Sequence, residues 1–129
     1  MSTLRAGVTG AADIPVELIR RVHEELPFQT LATGYGLTEA GTVTLSRPGD
    51  SFTDIATTAG KACDGVEVRI ADDGEVLVRG YTVMQGYLDD PIATAETVDP
   101  EGWLHTGDLG TVDAAVSYTH LTLPTILRV

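Results

Sequence analysis

Cysteine is all but absent from this chain of 129 residues. The single thiol, Cys63, excludes an internal disulfide and has no companions at metal-ligand spacing. It reads as a small packing residue. Basic charge is equally thin: eight Lys and Arg stand against nineteen Asp and Glu, for a formal charge of −11 at pH 7. That balance argues against nucleic acid or an anionic membrane held through a basic patch. No apolar run is long enough to span a bilayer, and the N-terminus lacks the charged-then-apolar order of a secretion signal. The expected compartment is therefore the cytoplasm. There is no internal repeat either, and the length suits one modest domain with a core of its own.

What is present divides at Pro48. Leu4 to Thr9 reads as a short strand entering Gly10-Ala11-Ala12, a turn whose small side chains admit another backbone or a planar base. Asp13 reads as the N-cap of a helix with Pro15 in its first turn, with Ile19, Val22 and Leu26 on one face and a Glu17–Arg21 pair on the other. Pro27 closes it. Gln29 to Thr33 is the next strand, delivering Tyr35 to Glu39 at its C-terminal end, where ligand sites of open α/β sheets gather. Residues 1–47 thus read as α/β. Beyond them, Val66, Val68 and Ile70 alternate with Glu67 and Arg69, and Asp72-Asp73-Gly74 turns the chain into Val76 and Val78, which predicts a hairpin. Asp89-Asp90-Pro91 opens a short helical or irregular segment through Thr97, and Pro100-Glu101-Gly102 is a turn. Residues 48–113 read as β-rich, a small sheet or a distorted barrel.

Two glycine-framed segments carry the chemistry. Gly34-Tyr35-Gly36-Leu37-Thr38-Glu39 is answered far along the chain by Gly102-Trp103-Leu104-His105-Thr106-Gly107-Asp108-Leu109-Gly110. An aromatic face, a hydroxyl and a carboxylate between glycines suit a backbone that approaches a nucleotide while side chains handle Mg²⁺ or phosphate. Taken singly, Tyr35 reads as a core aromatic, Glu39 as a solvated loop acid and Asp108 as a turn cap. The ordered pair is far more specific.

That pair resembles the adenylate-forming superfamily: acyl-CoA and aryl-CoA ligases, luciferases and the adenylation domains of peptide synthetases. The resemblance runs from about Leu4 to Asp113 and includes Gly10-Ala11-Ala12, Gly60-Lys61 with Gly65, and Gly74-Glu75-Val76-Leu77-Val78-Arg79-Gly80 followed by Met84-Gln85-Gly86-Tyr87. It implies the C-terminal slice of a large adenylation domain, an α/β strand-helix-strand unit followed by the β-rich part. It also implies ATP, Mg²⁺ and coenzyme A as reactants of the parent enzyme, with a carboxylic acid activated as an acyl-adenylate.

The same resemblance assigns roles. Thr38 and Glu39 are the catalytic pair, Thr38 donating to phosphate and Glu39 binding Mg²⁺. Gly10, Ala11, Ala12, Gly34, Tyr35, Gly36, Thr38 and Asp108 make up the nucleotide-binding set, with Tyr35 against adenine and Asp108 on the ribose hydroxyls. Leu37, where peptide-synthetase domains carry proline, and the form of Gly102 to Asp108 favour the acyl-CoA ligase branch, of fatty-acid or steroid-side-chain type. A peptide-synthetase fragment and a non-catalytic domain keeping the fold are the alternatives. Trp103 reads as a packing anchor, Arg79 as a strand-surface charge, and neither His105 nor His23 as catalytic.

Residues 114–129 match nothing in the family pattern and read as a foreign or disordered tail. The family's phosphate loop ending in lysine and its C-terminal catalytic-lysine domain are not in the chain. The isolated polypeptide is therefore expected to be inactive, a fragment needing the missing parts of its parent.

Overall fold

The computed structural model describes residues 3–10, 14–113 and 118–122, the last of these in backbone alone. In chain order the elements are β1 (Ala6–Thr9), α1 (Val16–Glu25), β2 (Thr30–Leu37), β3 (Gly41–Leu45), α2 (Phe52–Thr57), β4 (Lys61–Ala62), β5 (Val66–Ile70), β6 (Glu75–Gly80), α3 (Pro91–Thr97), β7 (Leu104–Val112) and β8 (Tyr118–Thr122). They form two four-stranded sheets, ordered β1-β2-β3-β4 and β5-β6-β7-β8. Among the described residues there is no closed barrel, so the α/β class holds and its β-rich part is an open sheet.

β1 and β2 run parallel in the register Ala6↔Thr30 to Thr9↔Thr33, joined through α1 as a crossover demands. Pro15, not Asp13, caps that helix: its backbone is extended and its side chain makes no cap bond, while Asp13 lies outside the described residues. Ile19 is the buried position of the helix. The expected Glu17–Arg21 pair is not formed. Arg20, three residues after Glu17 and four before Glu24, reaches both carboxylates, and Arg21 instead turns to Glu25 at 2.8 Å. The chain is extended again at Leu26, just before Pro27.

β2 does not stop at Thr33 but continues to Leu37, because β3 lies against its second half. Gly34 and Gly36 make that approach possible. A Cβ on Gly34 would fall 2.7 Å from the Thr44 carbonyl oxygen, and one on Gly36 2.3 Å from that of Gly41. The glycines that look like a ligand loop in sequence are thus also strand glycines. β4 comes from beyond Pro48 and pairs with β3, so the first sheet takes residues from both sides of that point.

The predicted hairpin forms with Val66↔Gly80 through Ile70↔Val76 in register, and the Asp73 carboxylate accepts the Glu75 amide at the turn. α3 begins at Pro91, with the Asp90 side chain accepting from the Ala93 amide at 2.9 Å. In the stretch read as a tail, Tyr118–Thr122 pairs antiparallel with β7, while 114–117 and 123–129 lie outside the described residues.

The core lies between the sheets. Ala40, in the turn after β2, and Val43 of the first sheet pack with Val66, Val76, Val78 and Leu104 of the second, and Tyr35, Leu37 and Cys63 close around them. Each buried Val or Leu here is worth about 1.5–3 kcal/mol of transfer free energy. Among the described residues no helix is long and apolar enough to cross a membrane.

Gly60 is packed closely against the backbone at the end of β3. Its φ is +82°, and a Cβ would sit 2.2 Å from the Ser46 amide nitrogen, whereas Gly49 at φ +95° has nothing within 4 Å. Gly60→Ala should therefore cost more than about 3 kcal/mol and Gly49→Ala about 1 kcal/mol. Urea unfolding of the two variants measures the difference, and equal costs would mean that backbone conformation alone sets both.

Candidate functional site

The site begins where the sheets meet. Tyr35, in β2, donates its hydroxyl to Oδ2 of Asp108, in β7, at 2.5 Å. The bond joins the two glycine-framed segments at the rim of the core. Asp108 is only 8% exposed, so its carboxylate depends on such partners. Burial, and then the Asp108 carboxylate, push the Tyr35 phenol well above its ordinary titration range.

A bulge delivers Asp108 to that position. Glu75 of β6 pairs with Leu109 and Leu77 pairs with His105, so Thr106, Gly107 and Asp108 together face Val76 alone. The extra residues bend β7, and Gly107 takes up the turn at φ +72°. Asp108 points inward while its neighbours Gly107 and Leu109 stay exposed.

Glu39 lies in the turn between β2 and β3. Its backbone carbonyl accepts the Met84 amide at 2.7 Å, and its Oε1 accepts the hydroxyl of Tyr87 at 2.9 Å. That bond to Glu39 raises the Tyr87 phenol above its usual range. Through that bond Tyr87 joins the candidate site, a role that its place in the Met84 to Tyr87 motif does not by itself reveal. The signal was there, since an aromatic hydroxyl closes the Met84 to Tyr87 motif, but its partner is distant in sequence.

Thr38 is exposed in the same turn as Glu39. Gly10 meets the first sheet at Gly34, whose carbonyl oxygen would lie 2.7 Å from a Cβ on Gly10. Gly10, Gly34, Tyr35, Gly36 and Asp108 therefore belong to one neighbourhood, with Thr38 and Glu39 at the following turn. Ala11 and Ala12 lie outside the described residues. Among the described residues no three His, Cys, Asp or Glu side chains gather to hold a metal. A lone carboxylate such as Glu39 fits Mg²⁺ that arrives already bound to phosphates, the usual habit of this ion, and does not make a self-sufficient metal cage.

Trp103, 7% exposed, has the guanidinium groups of both Arg69 and Arg79 over its ring, 4.6 and 4.5 Å from the centroid. Arg79 also pairs with Glu67 at 2.9 Å. The ring nitrogens of His105 face the carboxylates of Glu75 and Asp99 at 2.9 and 3.7 Å, not a hydroxyl or thiol.

A family model described as AMP-binding enzyme matches residues 1–88. The chain belongs to the AMP-binding enzyme family. Within it, the chain is 55% identical over 113 residues to a methyl-dioxo-octahydroindenyl-propanoyl:CoA ligase of Rhodococcus jostii (strain RHA1), covering 88% of this chain and 22% of that protein. The ligase of the same name from Mycobacterium tuberculosis is 55% identical over 116 residues, covering 89% of this chain and 23% of that protein. Among solved structures, the amide bond synthetase McbA from Marinactinospora thermotolerans superposes with a TM-score of 0.83 at 34% identity, covering 94% of this chain and 26% of that one. The chain thus spans about a quarter of the length of the relatives it matches.

The Tyr35–Asp108 bond has a pH signature. A free tyrosine ionises near pH 10, whereas the folded chain holds the Tyr35 proton to higher pH. The unfolded state releases its proton first. The stability from this group is therefore fully present below about pH 10 and is lost as pH rises toward the folded value. Tyr35→Phe should cost about 1.5–3 kcal/mol at pH 7 and make the alkaline fall in stability shallower. Urea unfolding across pH 8 to 11 checks both, and an unchanged alkaline slope would detach Tyr35 from Asp108.

Proposed function

We propose that this chain is part of an ATP-dependent acid:CoA ligase that activates a carboxylic acid as its acyl-adenylate and passes the acyl group to coenzyme A. The observation that carries the reading is the Tyr35–Asp108 hydrogen bond, which unites the two family segments at the rim of the core. In the first half-reaction the acid's carboxylate attacks the α-phosphorus of ATP, and the bond to the bridging oxygen breaks to release pyrophosphate. In the second the CoA thiol attacks the acyl carbon and AMP leaves.

The side chains divide this work by chemistry. Tyr35 offers its ring to adenine. Asp108 keeps Oδ1 for the ribose hydroxyls, while Oδ2 is shared with Tyr35. Thr38 donates its hydroxyl to phosphate. Glu39, held by Tyr87, takes the Mg²⁺ carried on the phosphates. When bound, that ion neutralises phosphate charge, which an acid-rich chain cannot do with its own side chains.

The proposed acid class rests on likeness to the relatives at 55% identity, whose name describes a propanoyl arm on a compact fused-ring system. A 4-coumarate–CoA ligase of Arabidopsis thaliana, at 38% identity, makes aryl acids the runner-up. The reading places the reaction in the cytoplasm and needs no nucleic acid. Since the chain spans 22–23% of those ligases, it supplies two walls of the site and by itself turns nothing over.

In the full-length protein, pyrophosphate release should depend on Mg²⁺ and on a ring-bearing propanoate, with fatty and hydroxycinnamic acids used less well. An acid panel assayed by pyrophosphate release decides the substrate, and no acid-dependent release from soluble enzyme would refute the ligase reading.

Glu39→Gln removes charge at nearly constant volume and should lower adenylation by about 10²-fold or more, with a higher Mg²⁺ requirement and little change in thermal midpoint. Near-normal turnover at unchanged Mg²⁺ dependence would remove Glu39 from the site.

A further inference from the structure

The bulge in β7 poses a question of support. It breaks the ladder between β6 and β7 at the residues that aim Asp108, and backbone amides there need other acceptors. Packing does not hold its turn: Gly107 has a positive φ, and a Cβ on it would meet nothing within 4 Å. Side chains do the holding. Oε1 of Glu75 accepts the Gly107 amide at 2.9 Å, and Oε2 faces Nδ1 of His105 at 2.9 Å. One carboxylate thereby grips β7 at two residues just ahead of Asp108. Thr106 completes the repair, donating to the Val76 carbonyl at 2.7 Å and accepting the Asp108 amide at 3.1 Å. Beyond the bulge the backbone resumes contact, with the Gly110 amide on the Gly74 carbonyl at 3.0 Å.

We infer that Glu75 is a positioning residue for nucleotide binding: its carboxylate fixes the Gly107 turn and so sets where Asp108 meets the ribose. The inference rests on the nucleotide role proposed for Asp108 and adds the residue that aims it. The Glu75 side chain is about four-fifths covered (20% exposed), as a fixed brace requires. It touches no nucleotide itself and acts through the β7 backbone. Its carboxylate is not replaceable by β6 main chain, because Val76 is the only residue that the bulge leaves opposite Thr106, Gly107 and Asp108.

The test is AMP affinity, measured by isothermal titration on the full-length protein with Glu75→Ala, Glu75→Gln, Asp108→Ala and the double variant Glu75→Ala/Asp108→Ala. Glu75→Ala should weaken AMP about tenfold, and Glu75→Gln, whose amide oxygen still accepts the Gly107 N–H, should recover affinity to within about threefold of wild type. In the Asp108→Ala background, Glu75→Ala should have no further effect, because the brace then has nothing to aim. Should Glu75→Ala not fold, Glu75→Asp, too short to span Gly107 and His105 together, takes its place. Wild-type AMP affinity in Glu75→Ala alongside a loss in Asp108→Ala overturns the inference and spares the nucleotide site, and so does a loss that simply adds to that of Asp108→Ala. Unchanged affinity in Asp108→Ala itself instead overturns the nucleotide reading, and the inference with it.

Discussion

A hydroxyl-to-carboxylate bond between Tyr35 and Asp108 holds together two stretches of chain 73 residues apart, and most of the candidate site depends on it. A carboxylate this buried is costly unless it is hydrogen-bonded, and Tyr35, itself packed against the apolar cluster of Val43, Val76, Val78 and Leu104, supplies that bond. The dependence is mutual. The two sheets must pack for the tyrosine to reach, and the tyrosine must reach for the aspartate to stay inside.

Two departures from regular strand geometry fall at the candidate site. β2 shifts register between Tyr35 and Gly36, and β7 bulges at Thr106 to Asp108. Each irregularity re-aims a side chain that an ideal ladder would send elsewhere. Neither is held by bulk. Glycines make room at Gly34 and Gly36, and side-chain hydrogen bonds from Glu75 and Thr106 replace the lost ladder bonds.

Charge explains how the site divides its labour. Several arginines are engaged elsewhere: Arg20 and Arg21 with helix glutamates, Arg47 with Asp64, and Arg79 with Glu67 and Trp103. Under the ligase reading, this segment contributes acceptors and hydroxyls for ribose and for a metal ion. Under the ligase reading, positive charge for the phosphates comes with Mg²⁺ and from the rest of the parent enzyme.

Short-range features were legible in the sequence because their causes lie within a few residues. The hairpin at Asp72-Asp73-Gly74, the helix starting at Pro91 behind its Asp90 cap, and the turn before Trp103 are all set by local dihedral preferences and nearby side-chain bonds. The paired glycine-framed segments were legible too, and they sufficed to name the family. What only the tertiary structure decided depends on register. β2 reaches Leu37 because β3 lies beside it. Glu39 finds Tyr87, and Glu75 finds Gly107, only once strands and loops far apart in sequence are brought together. Asp108 shares one oxygen with Tyr35 for the same reason: a hydrogen bond spanning two sheets is fixed by how they pack, and no local pattern along the chain encodes that distance.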